Sequence, residues 1–173
     1  MEWYETYIAP HKSPTTSATY LYNLQNYIFP RFGKLKLQSL ATLEIQKWIN
    51  ELSVKSPLSD KPLSNKSIRN LYMNLNAGLK RAVILGYIAK NPAENIELPK
   101  CKQYRADVYN AEELAKLFEV VKGTDIELGI AILVILGIRR GELMGLTWPD
   151  VDFESKTVYI NKSVVKVKHQ KCC

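Results

Sequence analysis

The sequence is poor in the residues that build metal and redox centres. It holds three cysteines and two histidines in 173 residues. Cys101 stands alone and Cys172 adjoins Cys173, so neither a disulfide framework nor zinc-ligand spacing is present. Reduced thiols are the expectation. Long apolar runs are missing as well. The longest, Ile130 to Ile138, is interrupted by Gly137 and falls short of the roughly 20 residues that a bilayer span needs. The opening Met-Glu-Trp-Tyr-Glu is neither basic nor followed by an apolar stretch, so no secretory signal is read. A cytoplasmic protein without membrane contact is expected. There is no internal repeat and no low-complexity tract.

Acidic residues are scarce in one part of the chain only. Residues 1–105 carry 15 Lys/Arg against 7 Asp/Glu, whereas residues 106–173 carry 9 against 10. A basic part beside a nearly neutral one points to a polyanion partner, because phosphates are met by Lys and Arg gathered on one surface. Solvated lysines would give the same count, so charge alone leaves both readings open.

Helical periodicity fills the first hundred residues. A helix is predicted from Pro14–Thr16 to Ile28, with Pro14 in the first turn and Leu21, Leu24 and Ile28 on one face, ending before Pro30. Residues 31–40 read as a loop turning at Gly33. A second helix runs from Thr42, read as its N-cap, to Leu52, with Ile45, Trp48, Ile49 and Leu52 as its apolar stripe. Residues 53–65 have loop composition. A third helix covers Ser64 to Leu85, where Ile68, Leu71, Tyr72, Leu75, Leu79, Ala82 and Val83 form a continuous apolar face. Gly86 interrupts it, a short helix is expected through Ala89, and Asn91-Pro92 closes the segment. The aromatic residues Tyr20, Tyr22, Tyr27, Trp48 and Tyr72 sit at helical spacing and read as core, as does Trp148.

Residues 98–109 show no periodicity and are charged, the mark of a linker between residues 1–97 and 110–173. Asn110 and Glu113 then make a capping-box pattern. Leu114, Leu117, Phe118 and Val121 give the next helix its inner face, and Gly123 breaks it. A further helix from Asp125 to Gly137 is apolar all round, as a fully buried helix would be. A helical turn covers Gly141 to Leu146. The period then changes: Val151, Phe153, Val158 and Ile160 flank Glu154-Ser155-Lys156, a β-hairpin pattern, and Val164, Val165 and Val167 suggest another strand. The fold class expected is mainly α, with a helical domain followed by an α+β portion.

The stretch richest in chemistry is Leu136-Gly-Ile-Arg-Arg-Gly-Glu-Leu-Met-Gly-Leu-Thr-Trp-Pro-Asp-Val-Asp152. A guanidinium beside a greasy helix is costly unless an acid or a phosphate meets it. Glu142, three residues after Arg139, is placed to hold it. Gly137 and Gly141 bracket the pair and allow the backbone to bend and approach a ligand closely. A purely structural Arg–Glu pair remains open on these residues alone.

Gly137-Ile-Arg139-Arg-Gly141-Glu142-Leu143, followed by Leu146, Trp148, Asp150 and Asp152, resembles the first catalytic-arginine motif of the tyrosine recombinases, the phage integrase family. Thr19-Tyr20 through Phe32-Gly33, Leu40 to Leu52, and Ala82 through Asn91-Pro92-Ala93 are similar to its helical, SAM-like core-DNA-binding domain. The resemblance spans nearly the whole chain, in the family's order. It implies a core-binding domain followed by the first part of a catalytic domain. It also implies chemistry in which a tyrosine attacks a DNA phosphodiester without a metal or nucleotide cofactor. Arg139 then matches the arginine that binds the scissile phosphate, where a planar five-donor cation meets the charge gathering on the non-bridging oxygens. Glu142 matches the acid that positions it. Arg140 occupies a variable position.

Duplex DNA, and other recombinase protomers on it, are the partners that the resemblance implies. The family's two domains clamp opposite sides of the duplex, and Lys12, Thr16, Thr19, Lys66, Arg69, Lys80, Arg81, Lys100, Lys102 and Arg105 are the candidate contacts. Each taken singly also fits a solvated surface. The family further requires a catalytic lysine, a His-x-x-Arg pair and a C-terminal tyrosine. Lys162 is the candidate lysine, with a plain strand-edge role as its alternative. His169 is not followed by the arginine, and no tyrosine follows Tyr159. The expectation is a DNA-binding portion of a recombinase that cannot itself cleave. The alternative is a non-enzymatic DNA-binding regulator, or a decayed prophage protein, on the same scaffold.

Overall fold

In the computed structural model, which describes residues 1–101 and 106–165, Ser13 caps the first α-helix by accepting the Thr16 N–H on its Oγ. Pro14 occupies the first turn, where its missing N–H costs nothing, and α1 runs Pro14–Asn23. The expected stop before Pro30 does not occur. Leu24–Ile28 winds as a π-helix, with the Phe29 N–H bonded to the Leu24 carbonyl five residues back. The wider turn relieves the clash between the Pro30 ring and the carbonyl that an α-helix would put beneath it, and α2 continues over Phe29–Phe32. A π-wound turn over Tyr4–Ile8, ahead of α1, was not read from the sequence.

A 3-10 turn, Leu37–Ser39, lies in the stretch expected to be loop. α3 (Thr42–Val54) is entered from Ala41 rather than capped by Thr42, and no side chain caps it. α4 (Asn65–Ile84) is capped by Ser64, whose Oγ accepts the Ser67 N–H at 3.1 Å. It ends where Gly86 takes φ +75° and the Tyr87 N–H reaches the Ala82 carbonyl, a left-handed termination that glycine permits. The short helix expected through Ala89 is replaced by bends.

The described residues fall into two compact units, residues 1–101 and residues 106–165. In the first, α3 and α4 interlock through Ile45, Ile49, Leu52 and Ile68, which are fully buried. Trp48 lies edge-on to Phe32 at 5.2 Å between centroids, and Leu24, Ile28, Leu71, Leu75 and Leu79 complete the core. The stretch after α4 folds back along it. Tyr72 Oη donates to the Ala93 carbonyl, Gln46 exchanges two hydrogen bonds with the Glu97 backbone, and Asn65 Nδ2 donates to the Lys100 carbonyl. Residues 98–101, read as linker, thus lie against this unit, with Leu98 packed on its core.

In the second unit, Asn110 and Glu113 form a reciprocal capping box, each bond 2.9 Å, at the start of α5 (Ala111–Val121). α6 (Glu127–Leu136) ends at Gly137, held at φ +63°. It packs against α5 and the four-residue α7 (Arg140–Leu143). Full burial of α6, the expectation, is not found: Leu128 is 69% and Ile135 77% exposed. Two neighbours cover only part of a helix that is apolar all round. Trp148, expected in the core, is 79% exposed on a 3-10 turn, Trp148–Asp150. The hairpin forms, but it is short: β1 (Val151–Asp152) pairs antiparallel with β2 (Thr157–Val158), Val151 opposite Val158. Asp152 Oδ1 accepts the N–H groups of Glu154 and Ser155 and closes the turn, and Lys156 adopts φ +54°. Val164 and Val165 lie outside any strand, and Val167 lies outside the described residues.

Candidate nucleic-acid interface

α4 has no acidic residue along its 20 positions. Lys66, Arg69, Met73, Lys80 and Ile84 recur at spacings of three, four and seven, which puts them on one face, opposite the buried stripe. All five are exposed. Among the described residues, none of Lys66, Arg69 and Lys80 forms an ion pair, whereas Arg31, Lys47 and Lys55 elsewhere in the unit all do. The face is therefore a line of unneutralised cations on a helix about 30 Å long. The Asn65 bond to the Lys100 carbonyl brings Lys100 to the start of that helix, beside Lys66.

The other candidates of this unit differ in availability. Lys12 is exposed just ahead of α1. Thr16 Oγ1 accepts from Ser13 Oγ and keeps its own proton to give. Thr19 Oγ1 already donates to the Thr15 carbonyl at 2.9 Å, so it must break that bond before donating to a phosphate. Arg81 turns off the α4 face and stacks 4.2 Å over the Tyr7 ring, a packing role. Lys102 and Arg105 lie outside the described residues.

In the second unit Arg139 precedes α7. Glu142 Oε2 accepts the Arg139 backbone N–H at 2.8 Å, and Oε1 accepts from its guanidinium at 3.0 Å. The backbone bond first, then the guanidinium bond, holds the Glu142 carboxyl below the ordinary glutamate range. The Arg139 side chain is still 87% exposed. One edge of the guanidinium is fixed and the rest faces outward, an arrangement suited to an external oxyanion.

Lys162 is neither in a strand nor free. Its Nζ donates to Asp150 Oδ2 at 2.8 Å and to Thr147 Oγ1 at 3.0 Å. The Asp150 side chain, 9% exposed, also receives the Thr147 hydroxyl at 2.6 Å and the Thr147 N–H at 2.9 Å. Chiefly through Lys162, then Thr147, its carboxyl is held down to about 2. Gly141, expected to admit a ligand, instead admits the chain: a Cβ there would lie 2.6 Å from Ser163 Oγ and 3.0 Å from the Val164 carbonyl oxygen.

Residues 1–53 match the family described as phage integrase, N-terminal SAM-like domain. A XerC-like tyrosine recombinase of Caldanaerobacter subterraneus is 28% identical over 95% of this chain and 42% of its own length. An integrase of Streptomyces ambofaciens is 25% identical over 73% of this chain and 31% of its own. The chain is related to the tyrosine recombinases. It spans less than half the length of these relatives. Among solved structures, the Tn1549 transposon integrase in complex with circular intermediate DNA superposes with a TM-score of 0.76 at 21% identity, covering 94% of this chain and 53% of that one. A lambda integrase dimer bound to a core site gives 0.73 at 18% identity, covering 88% and 51%. These two share the fold: a helical unit followed by a second unit of helices and a short hairpin.

Against this recombinase scaffold, the structure brings Arg139 and Glu142 together and gathers Lys66, Arg69, Lys80 and the Lys100 backbone around α4. Thr147 and Gly145 were missed as participants. A signal for Thr147 was present, since Thr-x-x-Asp ahead of a turn is a capping pattern. Gly145 gave none, because its neighbour, the Lys162 carbonyl at 3.0 Å from an added Cβ, is 17 residues away in sequence. Among the described residues, no cluster of His, Cys, Asp and Glu is arranged to hold a metal, and no helix is long and apolar enough to cross a membrane.

Proposed function

We propose that this chain is a duplex-DNA-binding part of a site-specific recombinase acting in integration or excision. The α4 cations meet the phosphate backbone, and Arg139, braced by Glu142, grips one phosphate at the strand-exchange position. The observation that carries the reading is the acid-free α4 face, where Lys66, Arg69 and Lys80 stand exposed and unpaired among the described residues. Cations without an internal partner lose nothing on the protein side when a phosphate arrives, and each releases counterions from the duplex. Lys12, Thr16 and Lys100 extend the same surface; Thr19, Arg81, Lys102 and Arg105 are secondary contacts.

These residues bind but do not cut. No tyrosine follows Tyr159, and the Tyr159 N–H is tied to the Asp150 carbonyl beside the hairpin. The role proposed for these residues is phosphate binding rather than nucleophilic attack, and other recombinase protomers on the same DNA are the expected company. A DNA-associated place in the cytoplasm follows from this reading.

The test is fluorescence anisotropy with a labelled duplex across a salt series. Each phosphate contact contributes a slope of about −0.9 in log K against log salt. Replacing Lys66, Arg69 and Lys80 together by alanine should weaken binding and flatten the slope by roughly 2 to 3. An unchanged slope would sink the proposal.

A further inference from the structure

Among the described residues of the second unit, the Lys162 ammonium makes two side-chain hydrogen bonds, yet it touches no part of the Arg139–Glu142 pair directly. Its partners, Thr147 and Asp150, close the 3-10 turn after α7. The backbone around it completes a zipper. The Tyr159 N–H donates to the Asp150 carbonyl at 2.8 Å, and the Val164 N–H donates to the Gly141 carbonyl at 2.8 Å. Between those two bonds the chain presses on two glycines. An added Cβ at Gly145 would lie 3.0 Å from the Lys162 carbonyl oxygen, and one at Gly141 would lie 3.0 Å from that of Val164. Gly141 sits between Arg139 and Glu142 in sequence, on the same single turn of helix.

We propose that Lys162 is a positioning residue: by clamping Asp150 and Thr147 it docks residues 159–164 onto the Gly141–Gly145 backbone and so holds Arg139 outward toward phosphate. This rests on the phosphate-binding role given to Arg139 above. α7 is four residues long and cannot hold its own shape, since one turn fixes several dihedrals for a single hydrogen bond. The docked segment supplies what the turn lacks. The Asp150 carboxylate is the anchor: it takes three hydrogen bonds at one oxygen and stays ionised far into acid. Lys162 spends two of its three N–H donors on the clamp, so its ammonium is committed inward rather than to a leaving group.

The experiment uses the full chain and a duplex of mixed sequence. Affinity is measured for the parent chain, Lys162→Met, Lys162→Arg, Arg139→Ala, and Lys162→Met combined with Arg139→Ala. Amide hydrogen exchange at Tyr159 and Val164 is followed in the same proteins. Lys162→Met should speed exchange at Val164 and weaken binding by roughly tenfold, the scale of one lost charge-assisted bond. Lys162→Arg should restore both, because a guanidinium can still span the carboxylate and the hydroxyl. The double variant should bind no worse than Arg139→Ala alone, since a residue acting through Arg139 has nothing left to position. Additive losses would mean that Lys162 meets DNA by itself, and would overturn the proposal. So would unchanged exchange at Val164 in Lys162→Met. Should Arg139→Ala leave affinity untouched, the phosphate-gripping reading fails, and the exchange data alone still decide whether the clamp exists.

Discussion

Two carboxylates of the second unit, Asp150 and Glu142, each accept more than one hydrogen bond. The carboxyls of Asp150 and Glu142 are both held below their ordinary pKa range, the first through Lys162 and Thr147, the second through the Arg139 backbone and guanidinium. A depressed carboxyl stabilises the fold above its unfolded value and loses that contribution as pH falls through its folded value. For Asp150 the window therefore runs from near 3.8 down to about 2. A carbon-13 titration of the Asp150 carboxyl should show its midpoint close to 2; a midpoint at the ordinary value would mean the clamp is open in solution. The sequence pointed to Glu142 as the partner of Arg139 because a spacing of three places both on one turn. It did not reveal Asp150 as the partner of Lys162, because twelve residues and a hairpin separate them and no periodicity links such positions.

Among the elements, α4 and α7 make opposite demands. α4 is long and capped, and one side is buried so completely that Ile68 has no exposed surface. Ile68→Ala removes a methylene and two methyl groups from a site enclosed by α3 and should cost about 2 to 5 kcal/mol, read as a lower urea midpoint with unchanged slope. Its outer face is free to carry charge because the inner face does the packing. α7, a single turn, depends on what lies against it. Gly141→Ala would drive a Cβ to within 3.0 Å of the Val164 carbonyl oxygen, a backbone atom that cannot rotate aside. That overpacking should destabilise the second unit by about 1 to 3 kcal/mol and accelerate exchange of the Val164 amide; exchange no faster than in the parent chain would show the segment is not docked there. The continuation of helix through Pro30 belongs to this scale too: a π-turn removes the clash, and single-residue propensity has no term for it.

At the scale of the molecule, the two units differ in how well they close. Residues 1–101 enclose a core running from Leu24 to Ala93, and they should melt cooperatively when expressed alone. Residues 106–173 should show no sharp thermal transition by themselves and should bind a hydrophobic dye, because α6 leaves Leu128 and Ile135 largely uncovered. A cooperative melt of that fragment would mean that α5 and α7 suffice to support it.

Much of this protein was settled by local patterning. Apolar spacing of three and four gives α3, α4 and α5 one-sided inner faces, and the Asn110–Glu113 box marks where the last of these begins. The absence of acid on α4 is visible without any coordinates, as is the Arg139–Glu142 spacing. These are properties of neighbours within one turn, which sequence encodes directly. Burial of α6, exposure of Trp148, the docking of residues 159–164 and the inward commitment of Lys162 depend on which distant segments arrive at a surface. Such meetings are decided by tertiary packing, because apolar character states that a face can be covered and leaves open what covers it.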